Sequence, residues 1–304
     1  MRKFFGTIFI IFSVVMVLVV GFAIAGVVGL INPDEAKVSS PSILHLELTG
    51  VIMDGKDTLE FIRKHAGRDE IKGVLIEIDS PGGAVAPSQE IYSEIKRIRE
   101  ELKKPVVVTC SSLVASGGYY VAIAADKIFV NPGTMVGSIG VIMQFPYLEK
   151  LYEWAKMDFY VLKTGAFKDS GSPNRVMTEE ERALFQDLIN EVHVQFKNAV
   201  MEGRKLSRDV VDKYADGRVF NGESAVKLGF ADQVGTFEDA RREIGTMAGL
   251  GKDPDLFKPK KHPESLMEYL QQVESRSSAL EQLAEKFSKL KLAGKPLYMM
   301  PHAF

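Results

Sequence analysis

Two apolar, β-branched runs, each leading into a glycine-rich turn, set the terms on which this chain can fold. Val74-Leu75-Ile76-Glu77-Ile78 runs into Ser80-Pro81-Gly82-Gly83, and Val106-Val107-Val108-Thr109-Cys110 leads to Ala115-Ser116-Gly117-Gly118-Tyr119-Tyr120. Short, nearly continuous apolar runs stopped by turn residues read as strands buried on both faces. Helical spacing lies around them. Asp57–Lys64 suits a helix, and Pro87 fits the first turn of another reaching about Lys103, with Ile91, Ile95 and Ile98 on one face. Ile43–Ile52 and Lys127–Val130 supply further strands. Strands alternating with helices predict an α/β layered fold with a largely parallel sheet, in which ligands bind beyond the carboxyl ends of strands. Both glycine-rich turns lie at such ends.

Further along, Pro132–Val141 is glycine-rich and largely apolar, which predicts a close-packed loop beneath a site. Phe159–Leu162 reads as a short strand running into the polar loop Lys163–Pro173. Thr178-Glu179-Glu180-Glu181 is a capping box that opens a long helix. Its apolar residues Phe185, Leu188, Ile189, Val192, Phe196 and Val200 are expected in the core. Gly217–Phe220 reads as a strand or turn, Glu223–Leu228 as a helical turn, and Thr236–Ala248 as a helix. From Gly251 the composition becomes charged and proline-bearing, which predicts a linker. Leu266–Val273 and Leu280–Leu292 have amphipathic spacing, and Pro296–Phe304 reads as a tail that is either disordered or laid into a groove as a strand.

The N-terminus carries Arg2 and Lys3 before an apolar run from Phe4 to Ile31, with Asp34 and Glu35 after it. As a helix it would span roughly 40 Å, enough for a hydrocarbon core of about 30 Å. The charge order puts the N-terminus in the cytoplasm and the remainder outside. Ala23-Ile24-Ala25 resembles a cleavage site, but the run continues to Ile31, which favours an anchor. The expected organisation is an anchor over 1–31, a linker over 32–41, a catalytic domain over 42–250, and a linker, helices and tail over 251–304. A net charge of −2 gives no general attraction to nucleic acid. The single cysteine, Cys110, excludes an internal disulfide and lies in an apolar strand. The five histidines form no ligand motif, so neither a metal nor a cofactor is expected.

Ser116 stands where a strand gives way to a helix, with glycines that allow tight turning and close backbone approach. That position suits a nucleophile, with the N–H of the next residue facing an oxyanion. It equally suits a serine that only caps a helix. A serine nucleophile needs a base. His45 falls in a strand and His193 in a long helix, leaving a lysine as the alternative, since desolvation disfavours an ammonium. Lys168 is the candidate, although a lysine in a polar loop is ordinarily a surface residue. Asp169 would have to point away from it.

Five motifs together, in order and spacing, resemble signal peptide peptidase A in its short bacterial form, a branch of the ClpP/crotonase superfamily. They are Asp79–Gly83, Ala115–Tyr120, Asn131–Val141, Lys163–Asp169 and Gly217–Phe220. The resemblance covers about Ile43 to Gly249. It implies a ClpP/crotonase-like layered fold with largely parallel sheets behind one N-terminal transmembrane helix. It further implies that Ser116 is the nucleophile, Lys168 the general base and Ser138 a hydrogen-bond partner of that lysine. Gly83 and Gly117 would supply the oxyanion-hole N–H groups. The departures at Val136, Asn221 and Gly229-Phe230-Ala231-Asp232 touch none of these residues.

The activity so implied is a membrane-anchored serine endopeptidase degrading remnant signal peptides. It would use no metal, have apolar pockets preferring small residues, and assemble as a homo-oligomeric ring or dome. The expected location is the bacterial inner membrane, single-pass, with the catalytic domain on the extracytoplasmic side. The alternatives are a peptidase directed at membrane-protein quality control, a crotonase-like acyl-CoA enzyme, and a catalytically inactive membrane scaffold. Ser116, Ser138 and Lys168 argue against the last two.

Overall fold

Described in chain order, the elements are β1 (Ser42–Thr49), α1 (Lys56–His65), β2 (Ile71–Ser80), β3 (Gly82–Ala84), α2 (Val85–Glu100), β4 (Val106–Ala115), α3 (Gly117–Ala122), β5 (Lys127–Val130), β6 (Met135–Gly137), α4 (Glu149–Trp154), α5 (Glu179–Arg204), α6 (Arg208–Tyr214), β7 (Val219–Phe220), α7 (Gly222–Lys227), β8 (Gln233–Val234), α8 (Phe237–Met247), β9 (Leu256–Phe257) and β10 (Leu297–Met299). This computed structural model describes Met16, Val38, residues 40–259 and residues 295–299. The chain divides into two compact units, and all these elements belong to the one made of Val38–Lys258 and Ser288–Phe304. The apolar run Phe4–Ile31, Met16 apart, and the amphipathic stretches Leu266–Val273 and Leu280–Leu292 lie outside the described residues. Among the described residues no helix is long and apolar enough to cross a membrane.

The two apolar runs become neighbours. β2 lies between β1 and β4, parallel to both, with Ile76 opposite Leu46 on one side and Val108 on the other. Their near-continuous apolar character follows from covering on both faces. On one face Leu46, Ile76, Ile78 and Val108 pack with Ile62, Ile91, Ile95 and Tyr119, which come from α1, α2 and α3. On the other, Ile43, Leu75, Val107 and Phe129 meet Ala240 and Ile244 of α8. The sheet runs β7-β6-β4-β2-β1-β9, with β5 on β4 and β8 on β5. Every pairing in it is parallel except that of β6 with β7.

The sheet forks at β4. Its first half takes β5 at Val107–Cys110, and its last three residues take β6 at Leu113–Ala115. The strand therefore runs up to Ser116, past the apolar run that ends at Cys110, because β6 supplies a second partner there. β6 itself occupies part of the Pro132–Val141 stretch expected to be loop.

Three other expectations change. Phe159–Leu162 is not a strand: it lies exposed, Leu162 completely so, with no neighbouring strand among the described residues to take its backbone bonds. The capping box at Thr178 and Glu181 forms as expected, but apart from Glu181 the buried residues of α5 all lie in its C-terminal half. Phe196 and Val200 are in the core, Val192 packs partly buried against it, and Leu188 is exposed. Finally, Leu256–Phe257 is an edge strand on β1 where a linker was expected.

Asp232 fastens the end of α5 to the sheet. Its carboxylate accepts from the Ile128 N–H at 2.7 Å and from the Arg204 guanidinium at 2.8 Å. Arg204 is nearly fully buried while Asp232 is partly exposed. Replacing Asp232 by Ala strands both donors. Urea unfolding should show a loss of about 2 kcal/mol, below the range for fully buried pairs because Asp232 keeps some solvent.

Candidate active site

Ser116 joins β4 to α3 in a backbone conformation of φ 52°, ψ −115°. A non-glycine residue there stores on the order of 1–3 kcal/mol and persists only where its surroundings hold it. They do: the Ser116 N–H donates to the Gly137 carbonyl at 2.8 Å, and the Ser116 carbonyl accepts from the Tyr120 N–H at 2.8 Å. Ser116 is 1% exposed, and its hydroxyl has no hydrogen-bond partner among the described residues. A strained strand-to-helix elbow is the position from which a serine hydroxyl can be presented at the end of a sheet, and here no base is bonded to it among the described residues.

The turn after β2 meets this elbow. Ser80 Oγ donates to the Gly50 carbonyl at 2.7 Å and accepts from the Gly82 N–H at 3.1 Å, which fixes the turn. Gly82 has φ +98°, and a Cβ on it would lie 2.6 Å from the Gly117 nitrogen. A Cβ on Gly117 would lie 3.1 Å from the Gly83 nitrogen. No side chain fits between the two turns, so their backbones come into close contact at Gly82, Gly83 and Gly117.

A carbonyl oxygen already sits at that point. β10 runs antiparallel to β3, Tyr298 opposite Gly83. The Tyr298 oxygen lies 2.1 Å from the Cβ position of Gly82 and 3.1 Å from that of Gly117. On its other side β10 is bridged to Ile142, whose N–H and carbonyl both bond Leu297. The tail thus lies in a slot between β3 and Ile142. This is the groove-strand alternative foreseen for Pro296–Phe304, realised over Leu297–Met299. The Tyr298 ring is wholly buried against Tyr120 and Phe196, at 5.0 and 4.6 Å between centroids. The surroundings of this ring are aromatic.

Ser138 follows Gly137, the residue that holds Ser116. It is buried, at φ 53°, with its N–H on the Arg218 carbonyl at 2.8 Å. Lys168 is not brought to Ser116 within this chain. It lies exposed in the turns of the polar loop, its N–H donating to the Gly165 carbonyl. Asp169 faces elsewhere: its carboxylate takes Lys163 at 2.6 Å and Arg175 at 3.1 Å, and those bonds hold it at about 2, well below the usual carboxylate range. Arg175 also grips Glu181, which is likewise held at about 2, first by that guanidinium and then by the Thr178 N–H.

Cys110 is buried, and burial pushes its thiol up, away from reactivity. On the α8 face, His45, Glu47 and Glu77 come close enough to be weighed as metal ligands. Glu47 is held by Lys258 and Glu77 accepts from Ser111 Oγ, while His45 faces Glu77 at 3.4 Å, its pKa lowered by burial. Glu47 and Glu77 are thus already engaged by protein groups.

Residues 98–251 match the family model described as Peptidase family S49. A Synechocystis sp. protein named "Putative protease slr0021" is 42% identical over 215 residues, covering 70% of this chain and 76% of that protein. The chain belongs to peptidase family S49. An Enterococcus faecium protein named "Putative signal peptide peptidase SppA" is 35% identical, covering 68% of this chain and 63% of its own length. The Arabidopsis thaliana "Serine protease SPPA, chloroplastic" is 33% identical, over 62% of this chain and 28% of its own length. Among solved structures, a ClpP1 mutant from Listeria monocytogenes aligns with a TM-score of 0.44 and 19% identity, covering 64% of this chain and 93% of that one.

The family supports a serine-type peptidase. Sequence reasoning placed its elbow and both glycine turns but missed the slot edges, Ile52 and Ile142, and the aromatic pocket. Ile142 follows the Gly140-Val141 end of a motif already singled out, so an apolar residue after that motif was the available signal. Gly82 gives a direct test. A methyl there would occupy the space of the bound carbonyl oxygen and would sit on a positive φ. Gly82→Ala should lower peptide hydrolysis by about 100-fold or more, as losing an oxyanion donor does. Far-ultraviolet circular dichroism should stay close to wild type.

Proposed function

We propose that this chain is a membrane-anchored serine endopeptidase that degrades remnant signal peptides, with Ser116 as nucleophile and Lys168, from a second copy, as general base. The observation that carries the chemistry is the unpaired, buried Ser116 hydroxyl on a strained elbow, where the turn at Gly82 and Gly83 and the carbonyl oxygen of a strand in the slot come against Gly117. A peptide entering as an extended strand between β3 and Ile142 places its carbonyl there by main-chain bonds. Ser116 Oγ attacks the carbonyl carbon while Lys168 takes the proton. The oxyanion faces the Gly83 and Gly117 N–H groups. The lysine then protonates the leaving amine, and water hydrolyses the acyl-enzyme. Ser138 orients the lysine.

A second copy is favoured because the site is incomplete in one. Ser116 has no partner, and Lys168 lies exposed on a projecting arm rich in uncovered apolar residues. Trp154, Tyr160, Leu162 and Phe167 are all exposed there. An open cleft of about 410 Å³ lined by Met143, Phe145, Met177, Phe185 and Ile189 adjoins them. Such a surface seeks a partner, and a closed ring or dome of copies would satisfy it. The apolar run Phe4–Ile31 and the charges flanking it support the anchor and an extracytoplasmic catalytic domain. Extended apolar peptides at a membrane fit both the slot and that location.

Hydrolysis of a fluorogenic apolar peptide tests this reading. Ser116→Ala and Lys168→Ala should each fall to background. Mixing and reassembling the two inactive variants should restore activity to a fraction of wild type, because an intact Ser116 then meets an intact Lys168 across an interface. No recovery in mixed assemblies shown to contain both variants would mean that the base comes from the same chain. Near-wild-type activity of Lys168→Ala would remove it as the base.

A further inference from the structure

We infer that Lys163 and Arg175 are positioning residues for the base: they hold the Asp169 carboxylate away from its neighbour Lys168, which leaves that lysine free to give up its proton. This rests on the reading of Lys168 as general base and names what governs its readiness.

A lysine acting as general base must be uncharged when the serine attacks. A carboxylate within about 4–6 Å works against that, because it favours the ammonium and delays loss of the proton by about 1–3 pH units. Asp169 follows Lys168 directly in the chain, and a flexible four-carbon stem readily brings an ammonium to an adjacent carboxylate. The loop therefore carries an inhibitor of its own base unless other groups take that carboxylate.

Two cations take it. Lys163 Nζ donates to Asp169 Oδ1 at 2.6 Å and to the Ala166 carbonyl at 3.0 Å. It thus bonds the chain on both sides of Lys168 and clasps the turn that carries it. Arg175 spends its whole guanidinium at the same place. Nε donates to Asp169 Oδ2 at 3.2 Å, and Nη2 donates to the Asp169 backbone carbonyl at 3.3 Å and to Glu181 Oε1. Nη1 donates to Glu181 Oε2 at 2.9 Å and to the Val176 carbonyl at 3.1 Å. Both carboxylate oxygens of Asp169 are occupied, while Lys168 itself enters no ion pair among the described residues.

The anchor for this clasp is the start of α5. The Glu181 side chain is 3% exposed and accepts from the Thr178 N–H at 2.9 Å, as half of the capping box. Ser170 Oγ donates to it at 3.1 Å, so the second residue after Lys168 is tied to the helix as well. A carboxylate fixed to a helix end pins the guanidinium, and the guanidinium pins Asp169. An ammonium at position 175 would lack the planar fork that serves two carboxylates at once. Lys163, Arg175 and, across the guanidinium, Glu181 are the charged groups around Asp169, and Glu180 lines the same hollow without bonding them. Asp169 and Glu181 are each held at about 2, chiefly by Arg175, so the clasp stays ionised wherever a lysine loses its proton.

The test follows kcat for the fluorogenic apolar peptide from about pH 6 to about pH 11, a range that spans ordinary lysine ionisation. Full-length wild type is compared with Lys163→Ala, with Arg175→Ala, and with each of these carrying Asp169→Asn as well. The rising limb of kcat should move to higher pH by about one pH unit or more in Arg175→Ala, and by less in Lys163→Ala. KM should stay within about twofold, because the peptide slot is built by β3 and Ile142 and not by this loop. Adding Asp169→Asn should return the limb to its wild-type position in both backgrounds, since an amide cannot hold an ammonium charged. A loop that was only loosened would lose rate at every pH and gain nothing from the asparagine. Lys163→Ala keeps the Arg175–Glu181 pair, so it decides the question even where Arg175→Ala does not fold. A limb that stays in place in the folded single variants, or one that shifts and is not brought back by Asp169→Asn, would overturn the inference and leave the peptidase reading standing. A Lys168→Ala chain as active as wild type would overturn both.

Discussion

No side chain fits where the turns after β2 and β4 meet, and the site depends on that fact. The Cβ positions of Gly82 and Gly117 fall within 2.1–3.1 Å of backbone atoms from the opposite turn or from the strand in the slot. Only glycine tolerates this approach, which brings the backbone of β3 against the start of α3. The parallel pairing of β2 with β4 sets it up, because it brings both turns to the same end of the sheet. Ser116 is held in its strained conformation by the next strand over, through the Gly137 carbonyl. Three neighbouring strands thus fix the two turns and the Ser116 backbone relative to one another.

The central layer was legible because its residues obey local rules. Val74–Ile78 and Val106–Cys110 are apolar on both sides of the pleat, and covering on both faces is what the fold provides. The Thr178–Glu181 capping box and the Thr236 helix start were likewise local signals, and both caps form. What was not legible depended on distant partners. β4 continues to Ala115 only because β6 and β2 extend alongside it. Leu256–Phe257 is a strand only because the edge of β1 is open to it. Phe159–Leu162 has strand-like composition, yet composition cannot supply a neighbour to take its backbone bonds.

The same distinction separates the serine from the lysine. Ser116, Gly83 and Gly117 are positioned by the buried sheet, where packing over-determines geometry. Lys168 sits in an exposed loop near apolar residues, among them Leu162 and Phe167, that no described residue covers. The stripe Phe185, Leu188, Ile189, Val192, Phe196, Val200 shows the change along one helix: its C-terminal end is core, and its N-terminal end belongs to the arm. A periodic apolar face announces that something will bury it. It does not say whether that is the same molecule or the next one. The motif surrounding Lys168 was therefore readable as sequence, while its distance from Ser116 was not.

A slot with a strand edge on each side has its own consequence. When empty it exposes unpaired N–H and carbonyl groups on β3 and at Ile142, which is the condition under which edges capture whatever extended chain is nearby. For this molecule the nearest extended chain is its own tail. A tethered segment meets its site at an effective concentration on the order of millimolar, falling as the tether lengthens. A free peptide has to match that before it gains entry, so substrates present at micromolar levels compete only if they bind considerably more tightly than the tail. Main-chain pairing is nearly the same for any peptide. The side chain adds to it for the tail, whose Tyr298 ring packs with Tyr120 and Phe196 and whose phenol donates to the Val192 carbonyl.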